Sequence, residues 1–79
     1  MTLIEIVQED RSIAIEAAIV RIMKSRKKLE HNTLVQEVMM SLRMFKPNPQ
    51  AIKAKIEALI DKDYLERDTE DKNVYKYLA

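Results

Sequence analysis

The 79-residue sequence contains no cysteine, no glycine and no tryptophan, and it has only one histidine and two prolines. Without cysteine there is neither a disulfide framework nor a thiolate zinc site, and a lone histidine does not build a metal site by itself. Without glycine there is no phosphate-cradling glycine-rich loop, and every left-handed backbone position must be taken by a residue that carries a Cβ. No apolar run approaches the roughly 18 residues that span a bilayer. The N-terminus also lacks a basic segment followed by an apolar stretch and a small-residue cleavage site. The expectation is a domain that is neither inserted in a membrane nor exported, and the missing thiols suit an intracellular setting.

What is present is 47% hydrophobic and 34% charged residues, enough apolar content for a folded domain. A chain this short buries only about 60% of the surface it would expose when unfolded, so its core must be simple. The net charge of +1 is unevenly spread: residues 11–30 hold six Lys or Arg against two Glu, and residues 63–79 hold five acids against three bases.

Residues 1–9 carry weak signals and read as a lead-in or linker, with the domain proper over residues 10–79. Asp10 is a candidate N-cap, after which Ile15, Ile19 and Ile22, widened by Ala18, recur at the spacing of a buried helical stripe. This first helix reaches about Arg26. "KKLEHN" breaks the period, with Leu29 suited to a short strand. His31 or Asn32 then starts a second helix with Leu34, Val35, Val38 and Leu42 on its apolar face.

"FKPNPQ" stops that helix, because proline disfavours the α region in the residue before it and cannot donate a backbone hydrogen bond. Asn48 and Pro49 read as N-cap and first-turn proline of a third helix that turns Ile52, Ile56, Leu59 and Ile60 inward. After Lys62 the pattern changes to strand alternation in "YLERD" and "VYKYLA", separated by the polar "TEDKN". That is a terminal hairpin whose turn exceeds two residues and draws on Asp71 or Asn73 for any left-handed position. Three helices followed by a hairpin make a mainly α domain of the winged-helix type, the hairpin being the wing.

Winged helices often place the third helix in the major groove of DNA. Here its outward line runs through Gln50, Lys53 or Ala54, Glu57 and Asp61, as negative as it is positive, and the wing carries Glu70 and Asp71 against one lysine. A phosphate backbone finds few cations on either element, so a DNA-binding module is the alternative reading and no nucleic-acid partner is expected. Catalysis is not expected either. Ser12, Ser25 and Ser41 lie on helices without a base beside them, and His31 reads as a helix-start or packing residue. No cofactor or metal is called for.

The strongest local feature is the basic knot Arg21, Lys24, Arg26, Lys27 and Lys28. On a continuous helix Arg21, Lys24 and Lys28 stack at i, i+3 and i+7, and Lys24 points about 200° away from Ile22, out of the buried stripe. Composition alone favours a solvated face, with cations near a helix C-terminus also suiting the macrodipole.

The wording of the chain adds to this. "AAIVRIMKSRKKLEHNTLV" at 17–35, "IKAKIEALIDKDYLERD" at 52–68 and "YKYLA" at 75–79 resemble the C-terminal winged-helix region of cullins, the scaffold subunits of multisubunit ubiquitin ligases. The likeness covers residues 10–79. It implies that the lysine closing "IVRIMK", here Lys24, accepts a ubiquitin-like modifier through an isopeptide bond, the reaction called neddylation, and that modification activates the ligase. It further implies as partners the modifier and its conjugating enzyme, the RING subunit of the ligase and the rest of the cullin chain. The setting it implies is cytoplasmic and nuclear. An ordinary lysine, with a pKa of about 10.4, is neutral only to about one part in a thousand at neutral pH. Arg21 and Lys28 are expected to disfavour a third positive charge between them, and the conjugating enzyme to supply the remaining deprotonation.

Overall fold

The computed structural model of the chain describes residues 3–42 and 47–78. Three helices, α1 (Leu3–Arg26), α2 (His31–Ser41) and α3 (Pro49–Asp61), and three strands, β1 (Lys28–Glu30), β2 (Leu65–Arg67) and β3 (Val74–Tyr77), follow the chain in the order α1-β1-α2-α3-β2-β3. The strands form one antiparallel sheet in the order β1-β3-β2. This is the expected winged-helix layout, with β2 and β3 as the wing.

The first helix begins at Leu3, not near Asp10, so the expected boundary between residues 9 and 10 falls inside α1 and Asp10 is an interior helical residue. The segment "LIEIVQED" holds no proline or glycine to stop a helix, and its Leu, Glu and Gln are good helix formers. The buried stripe of α1 comprises Ile15, Ala18, Ile19 and Met23, while Ile22 is half-buried. Met23, which the apolar spacing had not singled out, is fully enclosed because β1 and β3 also lie against α1 and widen its covered face.

Helix α2 contributes Leu34 and Val38 to the core, and α3 contributes Ile52, Ile56 and Leu59. Leu65 of β2 and Tyr75 of β3 close the core from the sheet side. Asn48 caps α3 as expected: its side-chain oxygen accepts from the Gln50 backbone N–H at 2.8 Å, with Pro49 in the first turn. For α2 no side chain caps the N-terminus; instead the His31 N–H donates to the Asn73 carbonyl at 2.6 Å, so the wing satisfies one of the helix's orphan donors. Helix α2 ends at Ser41, before "FKPNPQ", and residues 43–46 lie outside the described residues.

The turn between β2 and β3 spans six residues, 68–73, and neither Asp71 nor Asn73 is left-handed. Asp71 shapes it through its side chain, accepting from the Asn73 N–H at 3.0 Å, while its carbonyl accepts from Val74 N–H at 3.0 Å. The left-handed positions among the described residues are Lys27 (φ 71°) and Asp63 (φ 64°), just beyond the C-terminal ends of α1 and α3. A glycine commonly stands at such a helix exit, and this chain has none.

A buried carboxylate fastens the wing to β1. Asp68, 9% exposed, accepts from Lys76 Nζ at 3.1 Å and lies 3.8 Å from Lys28 Nζ. Lys28 and Lys76 face each other in the β1–β3 register, so one acid serves two cations. The Lys76 hydrogen bond holds the Asp68 carboxyl below its ordinary value, with the positive charge of Lys28 adding to it against the opposing effect of desolvation. Lys76 is raised in turn, chiefly by the same bond.

Asp63→Gly relieves a left-handed residue at an exposed site and should stabilise the domain by about 1 kcal/mol, read as a higher urea midpoint. Because Asp68 is depressed, its contribution is present above the ordinary carboxyl value of 3.8 and is lost as the pH falls through its lower folded value. Thermal unfolding between pH 5 and 2, rough bounds on either side of that value, should therefore show an acid-sensitive component in the wild type that Asp68→Asn lacks.

Candidate acceptor site

The last two turns of α1 carry Arg21, Lys24 and Arg26 of the basic knot on a firm support. Ile19 and Met23 are fully buried beneath it, and Arg21, Lys24, Ser25 and Arg26 are exposed. Lys24 therefore stands where the spacing places it, on the solvent side of a helix whose opposite side is core. Among the described residues its amine enters no ion pair, side-chain hydrogen bond or cation–π contact.

Its neighbours are differently engaged. Arg21 donates to Ser41 Oγ at 2.8 Å, and Arg26 pairs with Glu37 Oε1 at 2.7 Å, so both arginines reach across from α1 to α2. Lys27 takes the left-handed turn that ends the helix: its N–H donates to the Met23 carbonyl at 2.7 Å and its own carbonyl accepts from Tyr77 N–H at 2.8 Å. The Lys27 ammonium lies 5.2 Å from the centroid of the Tyr77 ring.

Lys28 belongs to β1, not to the helix, and this corrects the expected stack of Arg21, Lys24 and Lys28 on one helical face. The helical period ends at Arg26, the chain reverses at Lys27, and the Lys28 amine is directed to Asp68. Of the two cations expected to press on Lys24 from the same helix, Arg21 alone shares it.

A shallow groove of about 680 Å³ runs beside Lys24 between α1 and α3. Ile13, Ala17 and Val20 of α1, with Leu59 and Tyr64, form its apolar part, and Glu16, Arg21 and Lys24 complete the lining. Ile13 and Tyr64 are exposed although apolar. Glu16 is held at 3.8 Å by both Lys55 and Lys62, which ties α1 to α3 at the other side of the groove.

His31 sits at the start of α2, where its Nδ1 and the Tyr75 hydroxyl share a 2.8 Å hydrogen bond and the two rings meet edge to face at 5.8 Å. It is a packing residue, as its position suggested. Burial raises the Tyr75 phenol above its ordinary value. Arg67 links the wing to α3 by pairing with Glu57, stacks 5.5 Å from the Tyr75 ring and donates to the Lys72 carbonyl at 3.0 Å. The hydrogen bond that the Arg67 guanidinium donates to Glu57 raises it above its ordinary value. With Glu57 engaged in this way, the outer face of α3 still presents Lys53 against Asp61. No group of three or more His, Asp or Glu side chains placed to hold a metal occurs among the described residues.

Comparison with known proteins agrees with the geometry. The family model for the cullin protein neddylation domain matches residues 10–71. Cullin-1 of Oryza sativa subsp. japonica is 60% identical over 77 residues, covering 96% of this chain and 10% of that protein. Cullin-3 of Caenorhabditis elegans is 55% identical over 74 residues, covering 92% of this chain and 10% of its own length. A solved structure of the Cdc53 WHB domain with Dcn1, concerned with a dual E3 mechanism for Rub1 ligation to Cdc53, superposes with a TM-score of 0.85 at 37% identity. That superposition covers 100% of this chain and 96% of the other. The chain spans about one tenth of the length of the curated relatives it matches. A winged helix with an exposed lysine closing "IVRIMK", matched by the neddylation-domain model over most of its length, places the chain in the cullin family.

Proposed function

We propose that Lys24 is the acceptor through which this cullin domain takes up a ubiquitin-like modifier, and that the domain is a non-catalytic, regulatory part of a ubiquitin-ligase scaffold. The observation that carries the assignment is the contrast on one turn of chain: Lys24 is exposed over a fully buried support and its amine has no partner among the described residues, while the amines of Lys27 and Lys28 are engaged by Tyr77 and Asp68. The comparison with Cdc53, a protein described in connection with Rub1 ligation, supports the same chemistry.

In the transfer step the neutral Lys24 amine attacks the thioester carbonyl at the modifier's C-terminus. The new C–N bond is the isopeptide, the C–S bond to the conjugating enzyme's cysteine breaks, and the amine proton passes to solvent or to a base on that enzyme while the thiolate departs. The domain's share of this is placement: a helix fixed by its core stripe holds the root of the Lys24 side chain in one direction, so the entropy lost on reaching an attack geometry is that of the four-carbon stem alone. The basic surroundings of Lys24 favour encounter with an acidic partner surface.

The partners in this reading are the modifier, its conjugating enzyme, the RING subunit and the remainder of the cullin chain, in a cytoplasmic and nuclear setting. Modification adds a folded protein beside the groove between α1 and α3, so contacts made by that face before conjugation must differ from those made afterwards. Lys24→Arg should fold normally by circular dichroism and lose conjugation at this position, because a guanidinium keeps the charge but remains protonated. A reconstituted conjugation reaction, followed by mass-spectrometric mapping of the branched peptide, tests this. Undiminished modification of the variant would refute the assignment.

A further inference from the structure

Three of the five cations in the basic knot are consecutive or nearly so, and an enzyme that brings a thioester to Lys24 brings it within a few residues of Lys27 and Lys28. Selectivity among such neighbours needs a physical cause. We propose that Tyr77 and Asp68 are specificity determinants of the acceptor step, holding the amines of Lys27 and Lys28 so that Lys24 is the reactive amine of this turn. The proposal rests on the reading of Lys24 as acceptor and adds to it the residues that exclude its neighbours.

The restraint on Lys27 acts on both backbone and side chain. Its left-handed backbone is fixed by hydrogen bonds on each side, to Met23 in α1 and from Tyr77 in β3, and its ammonium rests 5.2 Å from the Tyr77 ring centroid. Tyr77 is itself half-buried and packed against the core, so the ring does not follow the lysine if it leaves. An attack by Lys27 must begin by giving up that contact.

Lys28 is restrained by register. It pairs with Lys76 across β1 and β3, which puts both amines on the sheet face opposite Leu29 and Tyr75. Asp68, following Glu66 by two residues and so continuing toward the same face, takes both cations, Lys76 at 3.1 Å and Lys28 at 3.8 Å. Asp68 is nearly enclosed, which fixes its carboxylate as an anchor. The Lys28 amine is thus turned onto the sheet, while Lys24 stays on the helix.

Each of these contacts is partly solvated, so each accounts for a modest factor, about two- to fivefold in the availability of an amine. Two such factors and the change of surface separate Lys24 from its neighbours without any contact to Lys24 itself. Lys53 and Lys72 provide internal references, since among the described residues their amines also enter no ion pair or cation–π contact.

Labelling with a limiting amount of an amine-acetylating reagent, read site by site by mass spectrometry, measures amine availability without any enzyme. In the wild type Lys24 should label at the rate of Lys53 and Lys72, and Lys27 and Lys28 about two- to fivefold more slowly. Tyr77→Leu should raise Lys27, and Asp68→Asn should raise Lys28, each toward the reference rate. If Asp68→Asn loosens the wing, Lys76→Gln asks the same question from the other side: with the competing cation gone, Lys28 should label still more slowly. In the conjugation reaction, Lys24→Arg combined with Tyr77→Leu should show new modification at Lys27. Equal labelling of Lys24, Lys27 and Lys28 in the wild type, or no response to these variants, overturns the proposal and leaves the acceptor assignment standing. Modification of Lys24→Arg at the wild-type rate would instead overturn the acceptor assignment itself.

Discussion

The burial of Ile15, Ala18, Ile19 and Met23 along one side of α1 is the interaction on which the rest of the molecule depends. Both other helices and two strands pack onto that helix, so it is the common wall of the core. Removing its stripe would take from Leu34 and Val38 of α2, and from Ile52, Ile56 and Leu59 of α3, the helix that both sets share as a wall. The same packing fixes the opposite side of the helix in space. A lysine on a frayed end would move with its backbone as well as its side chain; on this helix the root of Lys24 is fixed and only its four-carbon stem is free.

Electrostatics then sorts the cations. Asp68 takes Lys28 and Lys76, Glu16 takes Lys55 and Lys62, Glu37 takes Arg26 and Glu57 takes Arg67. Individually most of these are exposed pairs of small stabilising value. Their consequence is geometric: each holds a side chain to a neighbouring element, α1 to α2, α1 to α3, or the wing to α3 and β1. A near-neutral chain with 34% charged residues can in this way keep a local excess of positive charge around Lys24, whose amine has no partner among the described residues.

Much of this was legible in the sequence because periodicity reports burial directly. Leu34, Val38, Ile52, Ile56 and Leu59 are core at the positions their spacing gives, and Asn48–Pro49 opens α3 with the expected cap. The exposure of Lys24 follows from the same stripe. The start of α1 was not legible, since residues 3–9 combine helix formers without a cap signal that marks an end. Lys28 does not stack with Arg21 and Lys24 because the chain reverses at Lys27, whose left-handed backbone has no signature in a sequence without glycine. The roles of Tyr77 and Asp68 depend on strand register, which brings residues some forty to fifty positions apart against the basic knot. The one trace available beforehand was an acid two positions beyond Glu66, on the same face of a short strand.

Native-state amide hydrogen exchange over residues 19–24 tests the central claim most directly, that Lys24 is carried by a helix as stable as the core beneath it. The amide of Lys24 should exchange with the same free energy as those of Ile19 and Met23, through unfolding of the whole domain. Exchange of the Lys24 amide through a separate, low-energy opening of the last turns of α1, while Ile19 stays protected, would contradict it.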